Sequence, residues 1–317
     1  MLPKTMLGNT EINVTKLGFG ALVIGPMQKG MSPEEGAKVI RRAFEQGITF
    51  VDTAHVYGTY EHIRKAKEGW RHKTVIATKT PASDYETAEE HIIHALHALD
   101  LKKLDIMLLH AARANENVFH ERAGAYQCLK DYKKKGLIEA IGISTHNVGI
   151  VNVASGLEDI DIIHPLINMT GLGILGGTVS DMAVAINKAS RRGKGIYGMK
   201  ALAGGNLLDE MDKAFKFVRG LPGMDAVVVG MVSEAEVDMN CRIFKGETIS
   251  ENERKLVAKG KRLKIVKSLC TGCGNCIDAC PNQALSLIEG KSSVDRNKCI
   301  LCGYCTPYCP EFAIRVI

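Results

Sequence analysis

A repeated cysteine run near the C-terminal end constrains this chain more than any other feature of its sequence. Eight cysteines follow one pattern, with gaps of two, two and three residues and then a proline, and the pattern recurs after 29 residues. They are Cys270, Cys273, Cys276 and Cys280, then Cys299, Cys302, Cys305 and Cys309. Gaps of two residues let successive thiolates wrap one corner of an iron–sulfur cube from a short loop. Zinc is the alternative, but zinc sites usually take paired ligands from two separate knuckles. The run therefore predicts two [4Fe–4S] clusters.

In runs of this kind the fourth cysteine ligates the other cluster, which ties the two halves together. The first cluster is predicted to bind Cys270, Cys273, Cys276 and Cys309. The second cluster is predicted to bind Cys280, Cys299, Cys302 and Cys305. Without iron and sulfide so short a segment has little core and is not expected to fold alone. Over residues 265–317 it resembles the bacterial two-cluster ferredoxins.

The composition of the whole chain is that of a globular protein, with 45% hydrophobic and 24% charged residues among 317. The formal net charge is +6, but Lys and Arg are scattered among acids, so nucleic-acid binding is not expected. No stretch is apolar for long enough to cross a bilayer. The first twenty residues lack the basic leader and apolar core of an export signal, and we expect a cytoplasmic protein with no membrane contact.

Before the cysteine run, eight short apolar segments alternate with segments of helical periodicity. The predicted strands are 17–20, 49–54, 74–78, 104–110, 138–144, 161–167, 195–202 and 225–230, and the clearest helices are 33–46, 86–99, 122–135 and 179–192. Eight such alternations favour an α/β fold of the closed (β/α)8 TIM-barrel type. We therefore predict a barrel over residues 1–244, a helical connection over 245–264, and a small α+β ferredoxin-like domain over 265–317.

Four polar residues follow or end adjacent strands of the predicted barrel. Asp52 and Tyr57 lie at and just after the second strand, Lys79 ends the third, and His110 ends the fourth. In TIM barrels the reacting groups come from the C-terminal ends of strands. Each residue alone could be an ordinary core or rim residue, but four on three neighbouring strands predict a catalytic site.

These residues resemble the catalytic tetrad of the aldo-keto reductase superfamily, and the likeness covers nearly all of residues 1–244. The stretch Asp-Thr-Ala-x-x-Tyr-Gly, which begins at Asp52, is its most specific match. Together with the cysteine run, the chain resembles the ferredoxin-fused subgroup of that superfamily. The resemblance implies reduction of a small carbonyl compound, or oxidation of an alcohol, with NAD(H) or NADP(H).

General acid–base chemistry agrees with the roles that the family implies. A phenol is a weak acid at neutral pH, and a nearby ammonium lowers its pKa. Tyr57 is therefore predicted to be the proton donor, and Lys79 to acidify it. Asp52 is predicted to keep Lys79 charged and oriented. His110 is predicted to hydrogen-bond the substrate oxygen or to share the proton.

The same resemblance implies a set of nicotinamide-nucleotide contacts, with several departures from the family pattern. Thr145 replaces the asparagine that usually follows the family serine, His164 replaces a glutamine, and Met199 replaces a stacking tyrosine. Glu236 stands four residues before Asn240, where NADP-preferring members have arginine, so NAD is favoured over NADP. The predicted cofactor contacts are Gly20, Ser144, His164, Asn168, Met199, Lys200, Glu236 and Asn240.

A nicotinamide transfers two electrons as hydride, whereas each cluster takes one, and a flavin normally joins the two chemistries. Three arrangements stay open. The clusters could be structural or regulatory, a flavin could lie in the barrel or in a redox protein partner, or the substrate could accept electrons singly. The alternative function is an iron–sulfur electron-transfer protein or complex subunit in which the barrel is mainly a scaffold.

Overall fold

A computed structural model describes residues 1–258, 261–299 and 304–316 of the chain. Eight parallel strands close a barrel in the order β10-β3-β4-β5-β6-β7-β8-β9, which confirms the predicted fold class. They are β3 (Leu17–Gly20), β4 (Phe50–Asp52), β5 (Val75–Thr80), β6 (Leu104–Ala111), β7 (Ile138–Thr145), β8 (Ile162–Pro165), β9 (Gly195–Gly198) and β10 (Ala226–Val229). An antiparallel hairpin of β1 (Lys4–Met6) and β2 (Asn13–Thr15) precedes the barrel.

Helices connect the strands around the outside of the barrel. They are α1 (Pro33–Glu45), α2 (Tyr60–Lys67), α3 (Tyr85–Ala98), α4 (Val118–Glu121), α5 (Ala123–Lys134), α6 (Val148–Gly156), α7 (Val179–Arg191), α8 (Met211–Arg219) and α9 (Glu234–Phe244). At the start of α1, Ser32 accepts a hydrogen bond from the Glu35 amide and the Glu35 carboxylate accepts one from the Ser32 amide. This capping box and Pro33 explain why the helix begins where the sequence predicts.

The barrel core consists of two layers of apolar side chains. Outward-facing strand residues pack against the buried stripes of the helices, and a smaller set of apolar residues, including Phe50 and Tyr197, fills the inside. Strand β5 is buried at every position, including Lys79 near its end. Because parallel strands run in one direction, the C-terminal ends of all eight meet at one mouth of the barrel.

Four predicted strand ends differ from the observed ones by two residues or more. The second barrel strand, β4, ends at Asp52 rather than at residue 54, and the third, β5, ends at Thr80 rather than at residue 78. The sixth barrel strand, β8, ends at Pro165 rather than at residue 167, and the seventh, β9, ends at Gly198 rather than at residue 202. Lys200 and Ala203 have φ angles of +60° and +47°, which an extended strand does not allow. The chain therefore turns across the barrel mouth directly after β9.

The C-terminal segment forms a small domain that rests on this mouth. Helix α10 (Glu251–Ala258) lies in the connection that precedes it, and the domain contains β11 (Leu263–Ile265), α11 (Asn275–Asp278), β12 (Leu285–Ile288), β13 (Lys291–Val294) and β14 (Ile314–Val316). Strand β11 pairs with β14, and β12 pairs with β13, both antiparallel. Within the described residues, no helix combines the length and apolar character that crossing a lipid bilayer requires.

Close packing joins the small domain to the barrel. Gly205 has a φ of +93°, and a Cβ at this position would lie 2.5 Å from the carbonyl oxygen of Val316 on β14. The Thr306 hydroxyl donates a hydrogen bond of 2.7 Å to Asn206 Oδ1. Arg113 Nη2 lies 2.6 Å from Glu311 Oε2. The loops after β6 and β9 thus hold the small domain over the site that the sequence predicts.

Candidate active site

A cavity of about 350 Å³ lies at the barrel mouth, and both domains line it. Asp52, Tyr57 and His110 line it from the barrel. Glu311, Phe312 and Arg315 are among the residues that line it from the small domain. The cavity is therefore closed in part by the domain that carries the cysteine run.

Asp52 and Lys79 form a buried ion pair at the base of the cavity. Lys79 Nζ donates hydrogen bonds of 2.6 Å to Asp52 Oδ1 and of 2.7 Å to the Thr53 carbonyl. The Tyr197 hydroxyl donates one of 3.0 Å to Asp52 Oδ2. Burial lowers the pKa of Lys79, and the charge of Asp52 opposes that shift. The carboxylate therefore keeps a buried ammonium in place, as the sequence predicts.

Tyr57 lies beside this ion pair with its ring facing the ammonium. Lys79 Nζ is 4.8 Å from the centroid of the Tyr57 ring. The pKa of the phenol is raised, first by burial and then by the negative charge of Asp52. Lys79 donates hydrogen bonds to Asp52 and Thr53, and its predicted acidification of Tyr57 stays a prediction. With a raised pKa, the Tyr57 phenol can give its proton only to a strongly basic group such as an alkoxide.

Two histidines face the same group of side chains as neutral rings. The His110 ring meets the Tyr57 ring edge-on at 5.6 Å, and burial together with the charge of Lys79 lowers the His110 pKa to about 3. His164 Nδ1 donates a hydrogen bond of 2.6 Å to the Tyr197 carbonyl, and its Nε2 lies 3.7 Å from Asp52 Oδ2. Burial lowers the pKa of His164 to about 4. A neutral His110 can donate a hydrogen bond to a substrate oxygen but holds no extra proton to give.

The barrel matches the model of the "Aldo/keto reductase family" over residues 16–222, a range that contains all four predicted catalytic residues. The chain belongs to the aldo/keto reductase family. A second model, the "4Fe-4S dicluster domain", matches residues 262–310 and identifies the small domain as an iron–sulfur domain. The predicted fused architecture is therefore confirmed.

Named relatives agree with this assignment. The chain is 30% identical over 200 residues to "Probable aldo-keto reductase 1" of Glycine max, which covers 53% of this chain and 57% of that protein. It is 25% identical to "Methylglyoxal reductase DkgA" of Escherichia coli, over 54% of this chain and 64% of that protein. The chain thus spans under two thirds of the length of these relatives.

Solved structures of the family share the barrel. A Pseudomonas aeruginosa protein assigned to the aldo-keto reductases has a TM-score of 0.66 and 25% identity, over 77% of this chain and 94% of its own. A Bacillus halodurans aldo-keto reductase has the same TM-score at 17% identity, over 82% and 96%, and shows likeness of fold alone.

Most of the cofactor contacts predicted for this aldo/keto reductase line the one cavity. They are Gly20, Ser144, His164, Met199, Lys200, Glu236 and Asn240. Asn168 does not line it: its side chain donates to the Leu172 carbonyl and accepts from the Thr170 amide and hydroxyl and the Leu172 amide, which shapes the loop after β8. The structure therefore brings seven of the eight predicted positions together.

The adenosine end of the predicted cofactor site has one unpartnered acceptor. Asn240 donates through Nδ2 to the Glu236 carbonyl, whereas its buried Oδ1 accepts from no described residue. The Glu236 carboxylate accepts from the Val232 amide at 2.9 Å and pairs with Lys261. A buried acceptor without a donor is costly unless a ligand supplies one, so these residues fit a base with an exocyclic amine.

The cysteines predicted for the first cluster surround a second, smaller cavity. Cys270, Cys273, Cys276 and Cys309 all line it. Ser292 N donates to Cys270 Sγ at 3.3 Å, and Ala313 N donates to Cys309 Sγ at 3.2 Å. Backbone donors to sulfur stabilise thiolate ligands and help to set cluster potentials. These residues fit an iron–sulfur cube.

The second predicted set is described at three of its four cysteines. Cys280, Cys299 and Cys305 pack in the apolar core of the small domain, whereas Cys302 lies outside the described residues. Ala284 N donates to Cys280 Sγ at 3.3 Å, which repeats the contact of Ala313 with Cys309 after the same 29-residue offset. The two halves of the sequence repeat therefore place the same backbone hydrogen bond on their fourth cysteine.

Several residues that line or support the site were missed by the sequence analysis. Tyr197 lies inside an apolar strand, where its alternation marks it only as core. His146 follows β7 and lines the cavity, and the strand-end rule that found His110 could have found it. Phe312 and Arg315 carried no signal, because nothing local in the sequence reports how two domains dock.

Proposed function

We propose that the chain is a nicotinamide-dependent oxidoreductase that reduces a small carbonyl compound, or oxidises the alcohol, with Asp52, Tyr57, Lys79 and His110 as its catalytic residues. The observation that carries this proposal is the buried Lys79–Asp52 pair beneath the Tyr57 ring, at the wall of a cavity of about 350 Å³. The iron–sulfur domain is proposed to carry two [4Fe–4S] clusters that exchange electrons with a redox protein partner.

The residues of the chain are proposed to manage the substrate oxygen. A bound nicotinamide supplies hydride to the carbonyl carbon. His110, neutral down to about pH 3, donates a hydrogen bond to the carbonyl oxygen. Tyr57 then gives its proton to that oxygen as an alkoxide develops, and the alkoxide is basic enough to take it from a phenol of raised pKa. Lys79 stabilises the phenolate left behind, while Asp52 holds the ammonium.

Asn240 and Glu236 support a dinucleotide at the other end of the cavity. The free Oδ1 of Asn240 would accept from the amine of an adenine, and Glu236 would accept from a ribose hydroxyl. The Glu236 carboxylate would also repel a 2′-phosphate, and its pairing with Lys261 weakens that repulsion without removing the carboxylate from the site. We therefore propose NAD as the preferred cofactor, with a modest preference over NADP.

The cluster bound by Cys309 is proposed to be the one nearer to the chemistry. Glu311 lines both the catalytic cavity and the cysteine-lined cavity, so one side chain contributes to the wall of each. Each cluster carries one electron, and coupling to hydride chemistry calls for a flavin in the cavity or on the partner. Extraction of the protein as isolated under anaerobic conditions tests for bound flavin and nicotinamide together.

The proposed activity is tested by Tyr57→Phe in anaerobically purified, cluster-loaded protein, with methylglyoxal as substrate and NADH or NADPH as donor. We expect carbonyl reduction to fall by at least about 100-fold, because the proton donor is lost. Tyr60→Phe is the matched control: Tyr60 is buried and bonds the Thr78 hydroxyl at 2.7 Å, but it does not line the cavity. It should keep activity within about twofold.

Full activity of Tyr57→Phe would show that Tyr57 is not the proton donor. Failure of the wild-type protein with both nicotinamides, with cluster absorbance intact, would favour the electron-transfer protein with a scaffold barrel.

A further inference from the structure

Two cations from different domains line the catalytic cavity and contact the same aromatic ring. Lys200 follows β9 in the barrel, and its Nζ lies 4.8 Å from the centroid of the Phe312 ring. Arg315 lies on β14 in the iron–sulfur domain, and its Cζ lies 3.9 Å from the same centroid. Both side chains line the cavity. Docking of the two domains therefore gathers positive charge that neither domain has alone.

Every carboxylate that lines this cavity already has a cation. Asp52 pairs with Lys79, Glu236 pairs with Lys261, and Glu311 pairs with Arg113. Three pairs thus account for all the acids among the described lining residues. Lys200 and Arg315 are left, and neither has an ion-pair partner in the part of the chain that the structure describes.

The surroundings of these two cations make the lack of a partner costly. Arg315 is 5% exposed and donates to one acceptor, the carbonyl of Ile314, at 2.9 Å. Burial, and then the nearby charge of Arg315, push the pKa of Lys200 well down. Lys200 also holds a left-handed backbone conformation at φ +60°, which is strained for a lysine. Arg315 is buried and Lys200 is half-buried, so water screens their repulsion only in part, and a bound anion would relieve it.

The position of the pair limits what the anion can belong to. Lys200 and Arg315 line the same cavity as Tyr57 and His110, which are the proposed catalytic residues on its barrel side. The Glu236–Lys261 pair lines the same cavity with its charges already matched. The unmatched positive charge and the proposed catalytic residues Tyr57 and His110 therefore share one cavity.

We propose that Lys200 and Arg315 form a binding subsite for a carboxylate on the substrate, so that the chain reduces keto acids to hydroxy acids. This inference rests on the proposed function, because it names the substrate class of the same cavity. In that reaction the carbonyl carbon accepts hydride, the carbonyl π pair moves to oxygen, and Tyr57 supplies the proton. Lys200 and Arg315 bind the carboxylate and take no part in bond making.

The test compares pyruvate with methylglyoxal, which has the same three carbons but an aldehyde in place of the carboxylate. In Arg315→Met and Lys200→Met we expect the ratio of kcat/KM for pyruvate to kcat/KM for methylglyoxal to fall roughly 10- to 100-fold. Arg315→Lys, which keeps the charge, should recover part of the loss. In Arg315→Met, whose side chain is not among the predicted cofactor contacts, the Kd for the nicotinamide cofactor should change less than about twofold.

Calorimetric titration of pyruvate into cluster-loaded Tyr57→Phe separates this inference from the proposed function, because that variant binds without turnover. If Tyr57→Phe binds pyruvate and the double variant Tyr57→Phe/Arg315→Met does not, the subsite is supported even when no carbonyl reduction is found. Absence of pyruvate binding to the parent protein would overturn it.

Two further outcomes also count against the subsite. A weakening of cofactor binding in Arg315→Met as large as its loss of pyruvate discrimination would assign Arg315 to a phosphate of the dinucleotide. A shift in cluster reduction potential, measured by spectroscopic redox titration, with unchanged substrate discrimination would assign Arg315 to the charge of the Cys309 cluster.

Discussion

The catalytic residues of the barrel and the cysteines of the iron–sulfur domain differ in what holds them in place. Asp52 and Lys79 lie on neighbouring strands, β4 and β5, that are buried at every position. The apolar core of the iron–sulfur domain is small, and six cysteines lie in it or pack against it beside residues such as Leu263, Leu285 and Ile314. A barrel core can position a site before any ligand binds, whereas this small domain depends on its clusters to have a core at all.

The largest expected effect follows from removing iron and sulfide, or from Cys276→Ser. We expect amide protection over residues 262–299 to fall to that of an unfolded segment, while the barrel strands keep theirs. Hydrogen exchange measured by mass spectrometry checks both regions in one experiment. Cys128→Ser is the control, because Cys128 is a buried thiol on α5 and should leave the iron content unchanged. Retained amide protection in the metal-free domain would show that its core does not depend on the clusters, and would contradict the difference drawn between the two domains.

A smaller effect is expected when the buried charge of the barrel is removed by Lys79→Met. The buried Asp52 carboxylate would lose its cation, which should cost about 3–5 kcal/mol of barrel stability and abolish carbonyl reduction. Denaturant unfolding and iron content should show damage confined to the barrel. Asp52→Asn combined with Lys79→Met should regain part of the stability, because no unpaired charge remains.

The matched surface control for this variant is Lys103→Met. Lys103 pairs with Glu139 where both side chains are well exposed, so its loss should cost less than about 1 kcal/mol. Equal losses from Lys79→Met and Lys103→Met would show that burial does not govern the catalytic pair.

The comparison also explains which features could be predicted from the sequence. Asp52, Lys79 and His110 were found because strand ends of a parallel barrel share one mouth, a rule that needs only the strand count. The predicted end of β9 at residue 202 was too late, because the chain turns at Lys200 to cross the barrel mouth. That turn has no local sequence signal. The raised pKa of Tyr57 could not be predicted, because it depends on burial of the phenol, which sequence spacing does not report.

The smallest predicted effect concerns His164, which replaces the glutamine usual in the family. Burial lowers its folded-state pKa to about 4, against about 6.5 in the unfolded chain. As the pH falls below 6.5, the unfolded chain gains a proton that the folded chain refuses until about pH 4. Folding is therefore destabilised across that window, by about 2 kcal/mol at pH 5, and the loss is absent above pH 6.5.

His164→Gln should remove this acid sensitivity, because glutamine does not titrate and can still donate to the Tyr197 carbonyl. The difference in unfolding free energy between pH 7 and pH 5 should shrink by about 2 kcal/mol relative to the wild type. Amide exchange in strands β7 to β9 measures it without interference from the clusters. Replacing His120, an exposed residue of α4, tests whether loss of any histidine has this effect. An unchanged pH dependence in His164→Gln would mean that His164 has the same pKa in the folded and the unfolded chain. That result would contradict a barrel site whose buried core excludes the charged imidazole.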